Sequence, residues 1–373
     1  MTSTPPSFIQ PSQLDTLNVC FAANPGYYQH TCVTIVSILE NNKDLKFAFH
    51  ILTPDKTGKD TDKILSLPQK YPNAAVEFVP VDDTPFADLP VRTAYCTLSV
   101  QAYYRWLIPE LFPHLDTALY LDSDIVCNGS LAELFAADIG DCYCAAVTDH
   151  YLDTKSLARK NIGLRKEERY INSGVLMMNL KKWRETQAVR DLKRWSKDNA
   201  AVNRYADQDA LNACFQGQIK ILDIRYNYLV IYQGIQGMLF FLSRYRMSKV
   251  GKPVIFHYPS GNKPWIETLW LGRLSPLYFK YLALSPYSTV AAECLPSYLK
   301  LIDFYAAYYV CKKDDRMAFL RDISRQITAA DKELYHSKML PLRVQVFLKT
   351  LPVRMFLKKS IGNLMARLVV RQG

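Results

Sequence analysis

Strand-like and helix-like apolar segments alternate through the first eighty residues, and this alternation limits the possible folds more than any other feature. Leu17-Asn18-Val19-Cys20-Phe21-Ala22-Ala23 is a short apolar run closed by Asn24-Pro25-Gly26, which predicts a buried strand ending in a turn. A helix follows. Its apolar positions Val33, Ile35, Val36, Ile38 and Leu39 are dense enough for burial, and Asn41-Asn42 marks its end. Phe47 to Leu52 predicts a second strand, residues 60–70 a second helix, and Ala75 to Val79 a third strand. Strands separated by helices pair mostly in parallel and need cover on both faces, so the expected class is α/β.

Ser99 to Leu111 reads as a further helix, leading through Pro113 into the strand Ala118-Leu119-Tyr120-Leu121. That strand runs directly into Asp122-Ser123-Asp124. In open α/β sheets ligands bind beyond the carboxyl ends of strands, where paired acids are useful rather than merely costly. On an extended chain the two carboxylates point the same way, about 6–7 Å apart. A hard divalent cation can bridge them, with phosphate oxygens and water completing its shell. Such triplets are also common as solvated acids in surface turns, so the strand in front of this one is what gives it weight.

Val254-Ile255-Phe256-His257-Tyr258 predicts another apolar strand, with His257 at its end and Lys263 on the Pro- and Gly-containing loop beyond. An imidazole there can meet a metal while the lysine meets a phosphate, and an imidazole ligand favours Mn²⁺ over Mg²⁺. A histidine in that place is otherwise a hydrogen-bonded core or loop residue. Tyr170 to Leu180 passes from polar residues through Gly174 into a strand, and Ala206-Asp207-Gln208-Asp209-Ala210-Leu211-Asn212 opens an apolar helix with acids. Helix capping by Asp207 or Asp209 explains the second as readily as catalysis does. There is no Gly-rich phosphate loop, no GxSxG elbow and no HExxH, which leaves nucleotide-hydrolase, serine-hydrolase and zinc-protease readings unsupported.

Charge divides the chain. Residues 1–270 hold 29 basic and 28 acidic side chains, whereas residues 271–373 hold 17 and 7, so the tail supplies nearly all of the net charge of +11. A near-neutral main domain argues against nucleic acid as a partner. From His336 onward there are eight Lys or Arg and no acid, with Val353, Phe356, Leu357, Ile361, Leu364 and Leu368 at helical spacing. That pattern suits an anionic membrane surface, and the plain alternative is a helix packed on the main domain with its basic face in water. Nine cysteines without paired spacing fit a reducing cytoplasm, and the N-terminus has neither the basic nor the apolar region of a secretory signal.

In order, the segments FAANPGYY, SVQAYYRWLIPEL, ALYLDSDIVCNGSL, RYINSGVLMMNLKKWR, YADQDALN, IRYNY and HYPSGNKPW resemble glycosyltransferase family 8, nearest to its bacterial lipopolysaccharide galactosyl- and glucosyltransferases. The resemblance implies a GT-A fold, a Rossmann-like mixed sheet flanked by helices. The expected organisation is a flexible lead-in over 1–16, a catalytic domain over 17–270 and a basic helical region over 271–373 that associates with membrane. It also implies a UDP-sugar donor, a glycan or glycolipid acceptor, Mn²⁺ with Mg²⁺ as the alternative, and transfer with retention. Asp122, Asp124 and His257 match the family's metal ligands. Ala22, Asn24 and Tyr27 match the uracil site, with Tyr27 as the stacking ring. Ser123 lies in the diphosphate triplet, Lys263 matches a diphosphate contact and Arg105 a donor-sugar contact. Asp149 and Asn172 fall around the donor sugar, and Asp207, Gln208 and Asp209 form the catalytic segment. The sequence departs from the family at Asn24, where many relatives have Asp, and at Ser260-Gly261, where glycine usually comes one position earlier.

These expectations place the protein in the cytoplasm, peripheral on the inner face of the cytoplasmic membrane. Two other classes compete: a sugar-nucleotide pyrophosphorylase or related nucleotidyltransferase, and a non-enzymatic lipid-surface binding protein.

Overall fold

The computed structural model describes residues 16–91, 99–230, 252–259, 263–265 and 275–289. The lead-in before residue 16, loop residues 260–262, the change of character around Trp270, and the tail from residue 290 with its expected apolar stripe lie outside the described residues. Among the described residues no helix is long and apolar enough to cross a membrane, and the six cysteines are all free thiols.

Among the described residues seven strands form the main sheet: β1 (Leu17–Ala22), β2 (Phe47–Thr53), β3 (Ala74–Pro80), β4 (Thr117–Leu121), β6 (Cys144–Thr148), β7 (Ile171–Asn179) and β8 (Ile219–Ile221), in the order β3-β2-β1-β4-β7-β6-β8. The half from β3 to β4 is parallel, as the alternation predicts. β7 lies antiparallel between β4 and β6, while β8 runs parallel to β6, so the sheet is mixed. Helices flank it, as a GT-A fold requires. Buried aromatic residues including Phe86, Tyr103, Tyr104, Trp106, Trp183 and Phe215 belong to one continuous apolar cluster.

A second sheet is small, and it is what completes the site. β5 (Ile125–Cys127) pairs antiparallel with β10 (Ile255–His257), which pairs in parallel with β9 (Tyr228–Leu229). The register sets His257 opposite Ile125, the residue after Asp124, and Tyr258 N–H donates to Asp124 O at 3.0 Å. Backbone pairing thus brings together a histidine and an acid 133 positions apart in the chain.

Among the described residues no strand lies beside the other edge of β5, and a helix takes that place. The helix Tyr28–Asn41 carries Thr31, Thr34, Ser37 and Asn41 three or four apart, hence on one face. Thr34 Oγ1 donates to Ile125 O at 2.7 Å, Ser37 Oγ accepts from Cys127 N at 2.9 Å, and Asn41 Nδ2 donates to Cys127 O at 3.2 Å. Buried backbone groups need partners, and here side chains supply what a neighbouring strand would have given.

Two expected helices are less regular than their spacing suggests. Residues 60–70 form Lys59–Leu65 and Leu67–Lys70, because Pro68 has no N–H to continue the ladder across Ser66. Ser99–Leu111 becomes an eight-residue 3-10 helix, Val100–Leu107, followed by the α-turn Ile108–Leu111, with Pro109 at the junction.

Candidate active site

The strand β4 ends at Leu121 and β5 begins at Ile125, so Asp122-Ser123-Asp124 is a turn rather than the extended triplet the spacing suggested. The turn shortens the separation. Ligand atoms of Asp122, Asp124 and His257 all lie within 4.8 Å of one another. His257 Nε2 is 3.2 Å from Asp124 Oδ1 and 3.7 Å from Asp122 Oδ2.

This trio fits a divalent cation on two observations. Asp124 Oδ1 is buried and accepts no hydrogen bond. Beside the trio, a Cβ at Gly174 would come within 2.3 Å of His257 Cε1 and 2.7 Å of Asp122 Oδ2, so only a glycine in β7 leaves the space open. Two carboxylates with one imidazole form a hard, oxygen-rich donor set that also accommodates a borderline metal. Burial works to raise the Asp124 carboxyl, but Lys263 and His257 hold it well below the usual carboxylate range. Lys263 Nζ makes an ion pair with Asp124 Oδ2 and donates to Tyr258 O at 2.8 Å.

Ser123 joins the ends of two parallel strands. Its hydroxyl donates to Ala22 O at 3.4 Å, at the end of β1, and accepts from Thr31 Oγ1 at 2.9 Å. Asn24 follows β1, with Nδ2 3.4 Å from Gln101 Oε1. Tyr27 precedes the helix Tyr28–Asn41, 37% exposed, with its ring edge-on to His30 at 5.5 Å. Ala22, Asn24, Tyr27 and Ser123 therefore gather at the carboxyl edge of β1 and β4, where the topology predicts a ligand crevice.

Arg105 is buried behind the acids. It donates to Asp122 Oδ1 at 3.0 Å and to Ser173 O at 2.5 Å, and its Nε lies 3.4 Å from Asp207 Oδ2. Its guanidinium sits 4.2 Å from the centre of the Tyr120 ring, and the Tyr120 hydroxyl donates to Asp122 Oδ1 at 2.8 Å. Burial pushes the Asp207 carboxyl up to about 6, against the pull of Arg105 and with a push from Asp122.

A second chain of hydrogen bonds links Ser173, Gln208, Asp149 and Asn172. Gln208 Oε1 accepts from Ser173 N at 3.0 Å and its Nε2 donates to Asp149 Oδ2 at 3.4 Å. Asn172 Nδ2 reaches the same Asp149 oxygen at 3.3 Å, and Leu152 N–H donates to Asp149 Oδ1 at 2.9 Å. Burial raises the Asp149 carboxyl despite these donors. Asp209 is occupied elsewhere. Its Oδ2 accepts from Arg204 N at 2.7 Å and Tyr205 N at 3.0 Å, and its Oδ1 accepts from Tyr170 at 2.5 Å. It thereby ties down the turn before Ala206, whose φ of 49° is a backbone geometry that costs a non-glycine residue about 1–3 kcal/mol.

Three contributors escaped the sequence reading: Gly174, Tyr120 and Asn227. Asn227, whose Oδ1 lies 3.0 Å from His257 Nδ1, is inside the IRYNY segment, which carried part of the family resemblance but named no contact. Gly174 had a weak signal, since a glycine inside a strand often marks a close approach.

Fold and site together define a glycosyltransferase of the GT-A type. A family model described as glycosyl transferase family 8 matches residues 18–268. The lipopolysaccharide 1,2-glucosyltransferase of Escherichia coli is 35% identical over 283 residues, 73% of this chain and 80% of its own. The lipopolysaccharide 1,3-galactosyltransferase of Salmonella typhimurium is 25% identical over 269 residues, 69% of this chain and 76% of its own. A crystal structure of the galactosyltransferase LgtC, in complex with donor and acceptor sugar analogues, superposes with a TM-score of 0.64 at 25% identity, covering 72% of this chain and 96% of that one. The chain belongs to glycosyl transferase family 8. Membership removes the nucleotidyltransferase and the non-enzymatic binding protein as readings of the main domain.

Proposed function

We propose that this protein is a retaining hexosyltransferase that moves glucose or galactose from a UDP-sugar to a lipopolysaccharide or lipooligosaccharide core, with Mn²⁺ as its metal. One observation carries the reading: Asp122, Asp124 and His257 converge within 4.8 Å at the carboxyl edge of β1 and β4, with Lys263 beside them. The names of the relatives, glucosyl- and galactosyltransferases of lipopolysaccharide, support the substrate class.

A divalent cation held by the trio supplies charge compensation to a departing diphosphate. Around it the protein's own groups divide the work. Tyr27 stacks on uracil, and Asn24 offers its amide to the base edge, donating and accepting where an aspartate could only accept. Lys263 exchanges Asp124 for a diphosphate oxygen, as a point charge does readily. Arg105, fixed by Asp122 and Asp207, faces the donor sugar, and Asp149 with Asn172 holds its hydroxyls.

Retention requires either two inversions or attack from the face the diphosphate leaves. Double displacement calls for a carboxylate nucleophile. Gln208 is a neutral amide tied to Ser173 and Asp149, and Asp209 is occupied by two backbone amides and a tyrosine. Same-face transfer follows, with Gln208 orienting the anomeric carbon and a β-phosphate oxygen taking the acceptor proton. The basic region over 271–373 brings the enzyme to the anionic inner face of the cytoplasmic membrane, where a lipid-anchored acceptor is presented.

Incubation with a panel of UDP-sugars tests the reading. Slow Mn²⁺-dependent release of UDP from UDP-glucose or UDP-galactose supports it, and the preferred donor is then offered to truncated cores. Absence of release from both sugars overturns it, and a glycosyl adduct trapped on Gln208 or Asp209 overturns the same-face route.

A further inference from the structure

A backbone amide settles which nitrogen of His257 bears its proton. The N–H of Gly174 donates to Asn172 Oδ1 at 3.0 Å, so the atom of Asn172 that receives it is the oxygen. The same oxygen lies 2.9 Å from the Asn227 side chain, which must therefore present its nitrogen there. The remaining end of the Asn227 amide, its oxygen, is 3.0 Å from His257 Nδ1. An oxygen accepts, so Nδ1 donates. In the neutral imidazole, the form that binds metals, Nε2 is then left with its lone pair, and it is Nε2 that points at Asp122 and Asp124.

No side chain along this relay is free to turn over. Asn172 and Asn227 are both buried, Asn227 completely. The other end of the Asn172 amide donates to Asp149, so flipping it would break contacts on both sides. His257 is only 2% exposed, its backbone paired to β5 and β9, and its ring faces Gly174, where a side chain would collide with it. Three acceptors, two carboxylates and the lone pair of a neutral imidazole, thus face one point. Such a set attracts a cation, since none of the three offers a proton to the unpartnered Asp124 Oδ1.

We infer that Asn227 is a positioning residue for the metal centre: it fixes the imidazole of His257 with the proton on Nδ1 so that Nε2 is presented as a ligand, and Asn172 relays this choice from the Gly174 amide. The inference rests on the reading of Asp122, Asp124 and His257 as a cation site. Outer hydrogen bonds to a ligating histidine set its tautomer and ring orientation, and their loss costs about 10–100-fold in metal affinity.

The test measures Mn²⁺ affinity of the full chain by electron paramagnetic resonance, without donor or acceptor. Asn227→Ala is expected to bind about 10–100-fold more weakly than wild type. Asn227→Asp keeps an acceptor for Nδ1–H and is expected to recover most of that loss, which a general packing defect would not allow. Nitrogen NMR of histidine-labelled wild-type protein with Cd²⁺ as a diamagnetic probe should show the His257 proton on Nδ1 and the metal on Nε2. Equal Mn²⁺ affinity in wild type and Asn227→Ala overturns the inference and leaves the cation site standing, as does a spectrum with metal on Nδ1. Failure of wild type to bind Mn²⁺ overturns the cation site and the inference with it. The spectrum needs only wild-type protein, so it decides the matter even where Asn227→Ala fails to fold.

Discussion

Gly174 Cα faces the His257 ring so closely that an added Cβ would lie 2.3 Å from Cε1. Gly174→Ala therefore has to displace either the imidazole or Asp122, and both are cation ligands in the proposed site. We expect Mn²⁺ affinity to fall by at least about tenfold, and kcat by about 10²-fold if a ligand moves by about 1 Å. Mn²⁺ titration alongside UDP release checks this; a variant with wild-type values for both would remove Gly174 from the account.

Arg105 lies between the carboxylates of Asp122 and Asp207 with its guanidinium over Tyr120. Arg105→Ala leaves a buried acid without its partner, and the expected loss of unfolding free energy is about 3–5 kcal/mol. Arg105→Lys restores the charge but cannot reach Asp122, Asp207 and Ser173 together, so its stability should fall between the two. Urea midpoints of the three proteins give the ranking directly.

His30 gives the pH response a definite sign. Burial, aided by Lys263 and opposed by Asp124, lowers its pKa to about 3, whereas the unfolded chain titrates near 6.5. Its contribution to stability is complete above 6.5 and is lost as pH falls from there towards 3, at up to about 1.4 kcal/mol per unit. Asp207, raised to about 6, acts in the opposite sense: its contribution is complete below the unfolded value near 3.8 and is lost as pH rises through 6. The two partly cancel between pH 4 and 6. His30→Gln should remove the first and leave stability falling with rising pH across that window. Denaturant unfolding at pH 4, 5 and 6 distinguishes this from an unchanged profile, which would count against a buried neutral His30.

Ser37→Ala tests the polar face of the helix Tyr28–Asn41. The change leaves Cys127 N–H buried without its acceptor, for an expected loss of about 1–3 kcal/mol. Thr34→Val deprives Ile125 O in the same way. Both penalties should appear in unfolding measurements made without metal or nucleotide.

The parallel half of the sheet was legible because apolar runs and helices alternate at lengths that leave little choice. Asp122 and Asp124 stood out for the same reason, as acids at the end of a run that should be buried. The geometry within the triplet was not legible. A spacing of two implies a common face on an extended chain, but the chain turns at Ser123 to enter β5. Nor could the sequence identify what Gly174 makes room for, since His257 is 83 positions away and the register of two different sheets brings them together. The threonines and Ser37 read only as tolerated polar residues in an apolar helix. Their role depends on the helix itself lying along that side of β5, which no local pattern records.

The helix Tyr28–Asn41 thus works as a ruler. Tyr27 lies at its start, held by Thr31, while Thr34, Ser37 and Asn41 grip the strand that follows Asp124. At 1.5 Å per residue the span from Tyr28 to Ser37 is about 14 Å, and its stiffness belongs to a helix rather than to loops. The ring at one end and the acidic turn alongside therefore keep a fixed separation. The distance from ring to acids is thus set by the rise of one rigid rod and not by the loops on either side.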